Sequence, residues 1–466
     1  HRAADYYQQA RLPRDDWRAI EDLAPQLAEF DLRCAAGEYD AAARVLRSID
    51  FDYLDLWGHY HEMIRRHTRL QGKLIDPELQ QISAGNLGTA YRNIGNARQA
   101  IAYYEQALAA AREQEDRWGE GVWLGNLGNA YADLGQTQRA IDFYEQALAI
   151  DREVGYRRGE GIRLGNLGNR YADLGETARA IAYYEQALAI AREIGDRAGE
   201  GRHLGNLGLA YADLGQTQRA IEFHEQALAI RREIGDRRGE GYNLTGLGNR
   251  YADLGETARA IEFYEQALAI RREIGDRCGE GIDLGNLAEV LVDVGRHAEA
   301  IARAQESVKI GEEIGSPMIC NWSNGHIALA NLFAGDLEQA RAAAEAACEY
   351  DEPRHNAYAH ALRGLIALRQ GDEATARAAF TAAIAAAEAL LDHTRKLYGA
   401  LDDKGLALCG LALCGEPDAV EGAVAAFRQA REITSAPGVV AGIQRLVEAL
   451  AVVDEAGVLA SVRELM

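Results

Sequence analysis

Residues 121–160 read GVWLGNLGNAYADLGQTQRAIDFYEQALAIDREVGYRRGE, and a near copy of this stretch begins at Gly161. Further copies begin at Gly201 and Gly241, a decayed copy begins at Gly281, and a worn copy precedes Gly121. Self-similarity at a fixed period of forty residues is typical of a solenoid, in which each unit packs only on its neighbours. The repeat therefore predicts an elongated array that offers a long surface.

Each copy contains two predicted helices, because its apolar residues recur at three- and four-residue spacing. These residues are Leu124, Leu127 and Tyr131 in the first helix and Ala140, Tyr144 and Leu148 in the second. Gly135 and Gly155 follow the two helices, where glycine commonly ends a helix. Thr137 is expected to cap the second helix, and an aspartate such as Asp196 is expected to cap the first helix of the next copy.

This pattern resembles the tetratricopeptide repeat, whose motif is Leu-Gly-x-x-Tyr followed by alanine, an aromatic residue and alanine. The motif stands here as Leu127, Gly128, Tyr131, Ala140, Tyr144 and Ala147, and it recurs from Leu167 and from Leu247. The family usually repeats at about 34 residues, so the period of forty resembles its longer variety. The resemblance implies an all-α, right-handed α-solenoid of helix-turn-helix repeats.

The regularity of the copies predicts three regions. Residues 1–80 are expected to form a degenerate helical N-terminal cap, residues 81–320 six regular units, and residues 321–466 degenerate helical pairs with a C-terminal cap. Turn signals at Gly37, Gly335 and Gly371 mark degenerate units. A last helical pair is expected over 397–433, followed by a short helical end.

Composition limits the classes of partner. The net charge of −22 makes nucleic acid and anionic membranes poor partners. The six cysteines have no zinc-site spacing and are interpreted as buried hydrophobic residues of a cytoplasmic protein. No apolar run approaches the roughly 20 residues that span a bilayer.

The sequence contains no recognisable catalytic signature. There is no phosphate-binding loop and no nucleophile elbow. His59, His61, Glu62 and His67 lack the spacing of a zinc motif. Glycine-rich joints such as Gly119-Glu120-Gly121 are interpreted as helix punctuation. We therefore expect no enzyme activity, no metal and no cofactor.

Helix geometry predicts which side chains of each first helix point away from the core, at offsets of 4, 7 and 11 residues from Val122. In the family that this chain resembles, this face lines a concave groove. The predicted peptide-binding residues are Val122, Asn126, Asn129, Asp133, Ile162, Asn166, Asn169, Asp173, Arg202, Asn206, Asp213, Tyr242, Asn249, Asp253 and Asn286. Leu209, Glu289 and Asp293 occupy equivalent positions.

Two features of this face suggest binding. The first position and the residue after it vary from copy to copy, which favours recognition of different features along a ligand. The residues after the first position are Trp123, Arg163, His203, Asn243 and Asp283. The asparagines either pair with a peptide backbone or bond to adjacent helices, and the aspartates pair either with arginines or with a basic ligand. The face contains no lysine, which disfavours a receptor for chaperone tails.

The N-terminal cap and the near-identical copies resemble the C-terminal sensor arrays of bacterial STAND signal-transduction NTPases. This resemblance implies a ligand-sensing and autoinhibitory region that binds a protein or peptide. The chain starts at His1 and is interpreted as a fragment preceded by an NTPase module. A free-standing scaffold that joins two protein partners is the alternative.

Overall fold

The computed structural model describes residues 6–8, 10–393 and 397–465, which contain helices and no strand. These residues divide into two compact units, residues 1–173 and residues 174–466. The α-helices of the first unit are α1 (Ala24–Ala35), α2 (Tyr39–Arg47), α3 (Tyr60–Leu70), α4 (Pro77–Asn93), α5 (Ala97–Glu113), α6 (Arg117–Asp133), α7 (Thr137–Glu153) and α8 (Arg157–Asp173). Short 3-10 helices span Arg14–Asp16 and Ile20–Leu23, and a π-helix spans Asp50–Asp55.

The second unit continues the pattern of antiparallel pairs. Its α-helices are α9 (Thr177–Glu193), α10 (Arg197–Asp213), α11 (Thr217–Glu233), α12 (Arg237–Asp253), α13 (Thr257–Ile274), α14 (Arg277–Asp293), α15 (His297–Ile314), α16 (Pro317–Ala334), α17 (Leu337–Glu349), α18 (Asn356–Arg369), α19 (Glu373–His393), α20 (Tyr398–Leu413), α21 (Ala419–Ile433), α22 (Pro437–Ala451) and α23 (Ala460–Arg463). The predicted all-α solenoid of helix-turn-helix repeats is confirmed.

The two helices of a repeat approach closely at the motif glycine. A Cβ on Gly128 would stand 2.6 Å from the ring of Tyr144, and one on Gly248 would stand 2.6 Å from the ring of Tyr264. Such a distance is far inside van der Waals contact, so only glycine allows the tyrosine to lie flat against the first helix. The predicted apolar face is confirmed, since Leu127 is fully buried.

The predicted helix ends are confirmed in part. Gly135 and Gly155 both take φ of +71°, a left-handed conformation that glycine adopts without strain. Asp196 accepts a hydrogen bond from the backbone N–H of Gly199 at 2.9 Å and so caps α10. The prediction that Thr137 caps α7 is wrong, because α7 begins at Thr137 itself and the preceding residue makes no side-chain cap.

A buried glutamate joins each repeat to the next. Glu120, near the start of α6, is paired with Arg112 at the end of α5 (2.8 Å) and with Arg117 of its own helix. The same arrangement recurs at Glu160, Glu200, Glu240 and Glu280, all of them buried. The glycines beside these glutamates lie inside the helix and allow close packing, for example of Gly121 on Ile150, so their interpretation as punctuation is wrong.

In every copy, the residue that follows the first predicted binding position is buried, contrary to its interpretation as a ligand-reading position. The five side chains are each at most 9% exposed. The ring of Trp123 lies 2.0 Å from where a Cβ on Gly85 would stand, and the guanidinium of Arg163 lies 2.1 Å from the corresponding point on Gly125. The glycine of one repeat is therefore a socket for the variable side chain of the next.

Two of these buried positions carry the same ion pair with exchanged charges. Asp151 and Arg163 are 3.3 Å apart. Arg271 and Asp283 occupy the equivalent positions three copies along, and they are also 3.3 Å apart. Because both partners are buried, the two charges must neutralise each other, but either position can carry the positive charge.

The socket changes together with the charge. Gly125 leaves room for the guanidinium of Arg163. Thr245 stands at the same position of its own copy, and its hydroxyl donates a hydrogen bond to the shorter side chain of Asp283 at 2.6 Å. Variation at this position therefore follows packing between repeats.

The flanking turns are confirmed at Gly37, Gly335 and Gly371, each of which has a positive φ. The expected helical end after residue 433 is confirmed, but it is longer than predicted, because α22 has 15 residues and packs with α23 into the apolar core of the second unit. Four cysteines are buried as predicted, whereas Cys348 is half-buried and Cys278 is exposed.

One helix among the described residues is long and apolar enough to cross a membrane by length and composition, over Glu373–Asp392. This corrects the expectation that no run approaches that length. Its apolar character has a local explanation, since Ala376, Phe380 and Ala383 belong to the buried core of the second unit. The finding is weak evidence for a span.

Transferring residues from one copy to another tests whether the buried ion pair and the residue in its socket must match. Asp283→Arg alone places a second cation beside Arg271 and is expected to lower stability by about 3–5 kcal/mol. A fourfold variant gives positions 245, 271, 276 and 283 the residues found three copies earlier, at 125, 151, 156 and 163. Its substitutions are Thr245→Gly, Arg271→Asp, Asp276→Tyr and Asp283→Arg. We expect its urea unfolding midpoint to return most of the way to that of the wild type. A fourfold variant as unstable as the single variant would show that these residues need not match.

Candidate ligand-binding face and cavity

The predicted binding positions of the first helices form a surface that we call the ladder face. In the first unit, polar side chains of this face are paired with other residues of the chain. Asn129 accepts a hydrogen bond from the Tyr144 hydroxyl at 2.7 Å and a longer one from the side chain of Asn166 at 3.3 Å. The aspartates pair with arginines: Asp133 with Arg92 at 3.0 Å, and Asp173 with Arg170 at 2.9 Å. Val122, Asn126, Ile162 and Asn169 are half-buried on the same face.

The chain itself occupies the ladder face of α4. Asn86 and Asn93 stand forty residues before Asn126 and Asp133. Their side-chain amides donate to the carboxylates of Asp50 (2.9 Å) and Asp55 (3.1 Å), which lie on the π-helix of the N-terminal cap. The ladder face can therefore hold a helical segment through paired polar contacts.

The second unit exposes a different stretch of this face on α10 and α12. Leu209 is 40% exposed and Tyr242 is 42% exposed. Arg202 and Asp213 are exposed beside them, and Asn206 is half-buried. Among the described residues, the Asp213 carboxylate has no ion pair. Although its side chain reaches solvent, the surrounding protein atoms displace part of its hydration and raise its pKa, against the opposing charge of Arg250.

The next stretch of the ladder face, on α12 and α14, is covered by the C-terminal helices. Gly438 at the start of α22 lies so close to the end of α12 that a Cβ would stand 2.0 Å from the carbonyl oxygen of Ala252. Two turns further along, Arg445 of α22 pairs with Asp293 of α14. The same α-helix thus covers the ends of two consecutive first helices.

A cavity of about 370 Å³ remains beneath this cover. Three predicted residues line it together, namely Asn249, Asp253 and Asn286, with Asn249 accepting a hydrogen bond from the Tyr264 hydroxyl at 2.7 Å. The other predicted residues of the second unit lie outside the cavity. The far wall comes from α18, α20 and α22 and includes Tyr358, Tyr398, Asp402, Asp403 and Arg445.

Desolvation dominates the electrostatics of the cavity. Burial, followed by the charges of Asp293 and Asp253, raises the pKa of Glu289 to about 7. Burial, followed by the charge of Asp402, raises the pKa of Asp403 to about 8. The side chain of Glu289 is accessible to solvent, but the surrounding protein atoms still disfavour its charged form.

Sequence reasoning missed the far wall of the cavity. Its residues are Tyr358 and others within 398–446, all outside the regular copies, so no repeat pattern marked them. The small residues Gly438 and Gly442, spaced four apart on one helix face, were the available signal of close helix packing. No group of three or more His, Cys, Asp or Glu side chains within the described ranges could hold a metal ion.

Comparison with known proteins identifies the family. A family model described as Tetratricopeptide repeat matches residues 80–153, 161–233, 220–273 and 240–313, and a second model with the same description matches residues 327–390. The chain therefore belongs to the tetratricopeptide repeat family. No curated protein matches the sequence.

Solved structures share the fold. The STAND protein PH0952 from Pyrococcus horikoshii, described as having a tetratricopeptide repeat sensor, is 16% identical with a TM-score of 0.54, and the match covers 74% of this chain and 51% of that one. The apo quorum sensor NprR from B. thuringiensis is 16% identical with a TM-score of 0.50, over 71% of this chain and 99% of that one. BtubC from P. vanneervenii is 25% identical over 47% of this chain and 90% of its own, with a TM-score of 0.41. This chain thus spans about half the length of PH0952.

The raised pKa values predict how stability changes with pH. Unfolded carboxyls titrate near pH 4, so between about pH 4 and pH 8 the folded chain holds more protons on Glu289 and Asp403, and its stability falls as pH rises. Glu289→Gln with Asp403→Asn removes this loss. We expect the double variant to exceed the wild type in urea midpoint at about pH 8.5, with the advantage shrinking towards about pH 5. An advantage that grows on acidification would contradict this assignment.

Proposed function

We propose that this chain is the ligand-sensing region of a larger bacterial signalling or defence protein of the STAND class, and that it binds a protein or peptide on its ladder face. The proposal includes a cytoplasmic location, an NTPase module in the same parent chain, and no binding of nucleic acid or membrane. The name of PH0952, which combines a STAND protein with a tetratricopeptide repeat sensor, supports this context.

The observation that carries the proposal is the exposed stretch on α10 and α12. Leu209 and Tyr242 expose large apolar surfaces there, and exposed apolar side chains rimmed by polar ones mark interaction sites. Arg202 and Asp213 supply charges of both signs beside them. A partner segment would therefore bury two apolar side chains and meet fixed polar groups around them.

The chain's own α22 indicates what kind of segment suits this face. It is a helix that places a small residue, Gly438, against the end of a repeat helix and a basic residue, Arg445, on the ladder aspartate Asp293. Asp213 stands two copies before Asp293 and keeps its carboxylate free of ion pairs among the described residues. We propose that a ligand helix places a basic side chain on Asp213.

We propose that autoinhibition uses the same arrangement. A ligand that engages α10 and α12 lies next to the segment joining α21 to α22, because the Ile433 carbonyl oxygen is 2.3 Å from where a Cβ on Gly215 would stand. Ligand binding can therefore bias the position of α22, which is the two-state element that a sensor requires. Such a coupling would transmit ligand binding to the rest of the parent chain.

Capture from bacterial or phage lysate, followed by mass spectrometry, tests this function. Leu209→Ser with Tyr242→Ala removes the exposed apolar surface and is expected to reduce recovery of the partner about tenfold or more. Ile234→Ser is the matched control, because Ile234 is 39% exposed at a helix end and off the ladder face. Equal recovery by wild type and double variant would contradict the assignment of the ladder face. A partner pair bridged by the chain, with no effect on any NTPase, would favour the scaffold alternative.

A further inference from the structure

The cavity beneath α22 is lined by more acidic than basic side chains. Three of its carboxylates are paired: Asp253 with Arg250 at 3.3 Å, Asp293 with Arg445, and Asp402 with Arg431 at 2.5 Å. Two further carboxylates, Glu289 and Asp403, line the same cavity and have no ion pair or hydrogen bond within the described part of the chain. The cavity therefore holds two acidic groups that lack a cationic partner.

A buried amide points into the same space. Asn286 of α14 is only 8% exposed, lines the cavity, and makes no hydrogen bond to any described residue. Its amide atoms are open to the cavity, since they are not among the fully buried polar atoms that lack a partner, so a bound group can hydrogen-bond to the amide without displacing a protein partner. Asn286 therefore gives a second indication of a bound group, independent of the carboxylates.

The aromatic wall restricts the class of that occupant. Tyr358 and Tyr398 line the cavity beside Asp403, with Tyr264 and Phe333 completing the wall. Aromatic faces attract organic cations, and carboxylates attract them further. Metal ions fit poorly, since the described residues contain no cluster of ligands able to hold one. A cavity of about 370 Å³ admits an alkyl chain together with its charged end.

We propose that this cavity binds an alkylammonium group, with Glu289 and Asp403 as its carboxylate partners and Asn286 as an accepting amide. The group is supplied either by a free polyamine or by a lysine side chain of a bound peptide. This site is separate from the exposed stretch at Leu209 and Tyr242, so it does not rest on the proposed partner-binding function.

Calorimetric titration of the full chain tests the site, with spermidine as the polyamine probe and N-acetyl-Gly-Lys-Gly-amide as the lysine probe. We expect at least one probe to bind, and Glu289→Gln with Asp403→Asn to weaken that binding about tenfold or more. Affinity should rise between about pH 6 and pH 8.5, because both carboxyls lose protons in that range while the amine stays charged. Binding of spermidine alone identifies a polyamine site, and binding of the peptide alone identifies a lysine site.

Glu262→Gln is the control, because it removes an exposed carboxylate on α13 of the second unit that lies outside the cavity and off the ladder face. It should leave probe affinity unchanged. Circular dichroism of each variant verifies that the helices persist. No binding of either probe at millimolar concentration, or equal affinity of wild type and double variant, would overturn the site. Neither result affects the partner-capture experiment, which depends on Leu209 and Tyr242.

Discussion

The joint between consecutive repeats is the constraint on which the remaining structure depends. At each joint a buried glutamate such as Glu120 accepts contacts from an arginine at the end of the preceding helix and from another in its own helix. A buried carboxylate that lost both arginines would be strongly destabilising, so helix ends and helix starts must remain in register. Because the pairing crosses the boundary between two hairpins, it fixes how one repeat stacks on the next and hence which side chains reach the ladder face.

The same joint explains where the copies differ. The side chain after the first ladder position is buried in a socket formed by the preceding repeat, and its neighbours change with it. Asp151 with Arg163 becomes Arg271 with Asp283, and Thr245 replaces a glycine where the side chain becomes shorter. Sequence variation among otherwise similar repeats is therefore divided between two roles. One position specifies packing between neighbours, and the adjacent position, which includes Arg202 and Tyr242, remains on the surface.

The repeat unit could be predicted from sequence because its helices depend on local spacing. Leu127, Gly128 and Tyr144 recur in most regular copies, with His224 in place of the tyrosine in one of them, and their contacts lie within one hairpin, so periodicity alone located them. The socket at Gly125 could not be recognised in this way, since a helix places Val122 and Trp123 on neighbouring faces and only the stacking angle decides which is buried. The cavity could not be predicted either, because Glu289 shares its lining with Tyr398 and Asp403, which lie more than a hundred residues later in the chain.

Both ends of the array use segments of this chain to cover the ladder face: the π-helix bearing Asp50 in the first unit, and α22 in the second. Occupation by its own helix, with an exposed stretch beside it, is the arrangement on which the proposed ligand sensing rests. Amide hydrogen exchange across α22 in the unliganded chain tests this arrangement most directly. The account predicts that α22 exchanges as slowly as α12 and α14, and that Arg445→Gln accelerates exchange in α22 while α6 and α7 are unaffected. Rapid exchange throughout α22 beside a slowly exchanging α12 would show that the face is uncovered and would contradict the account.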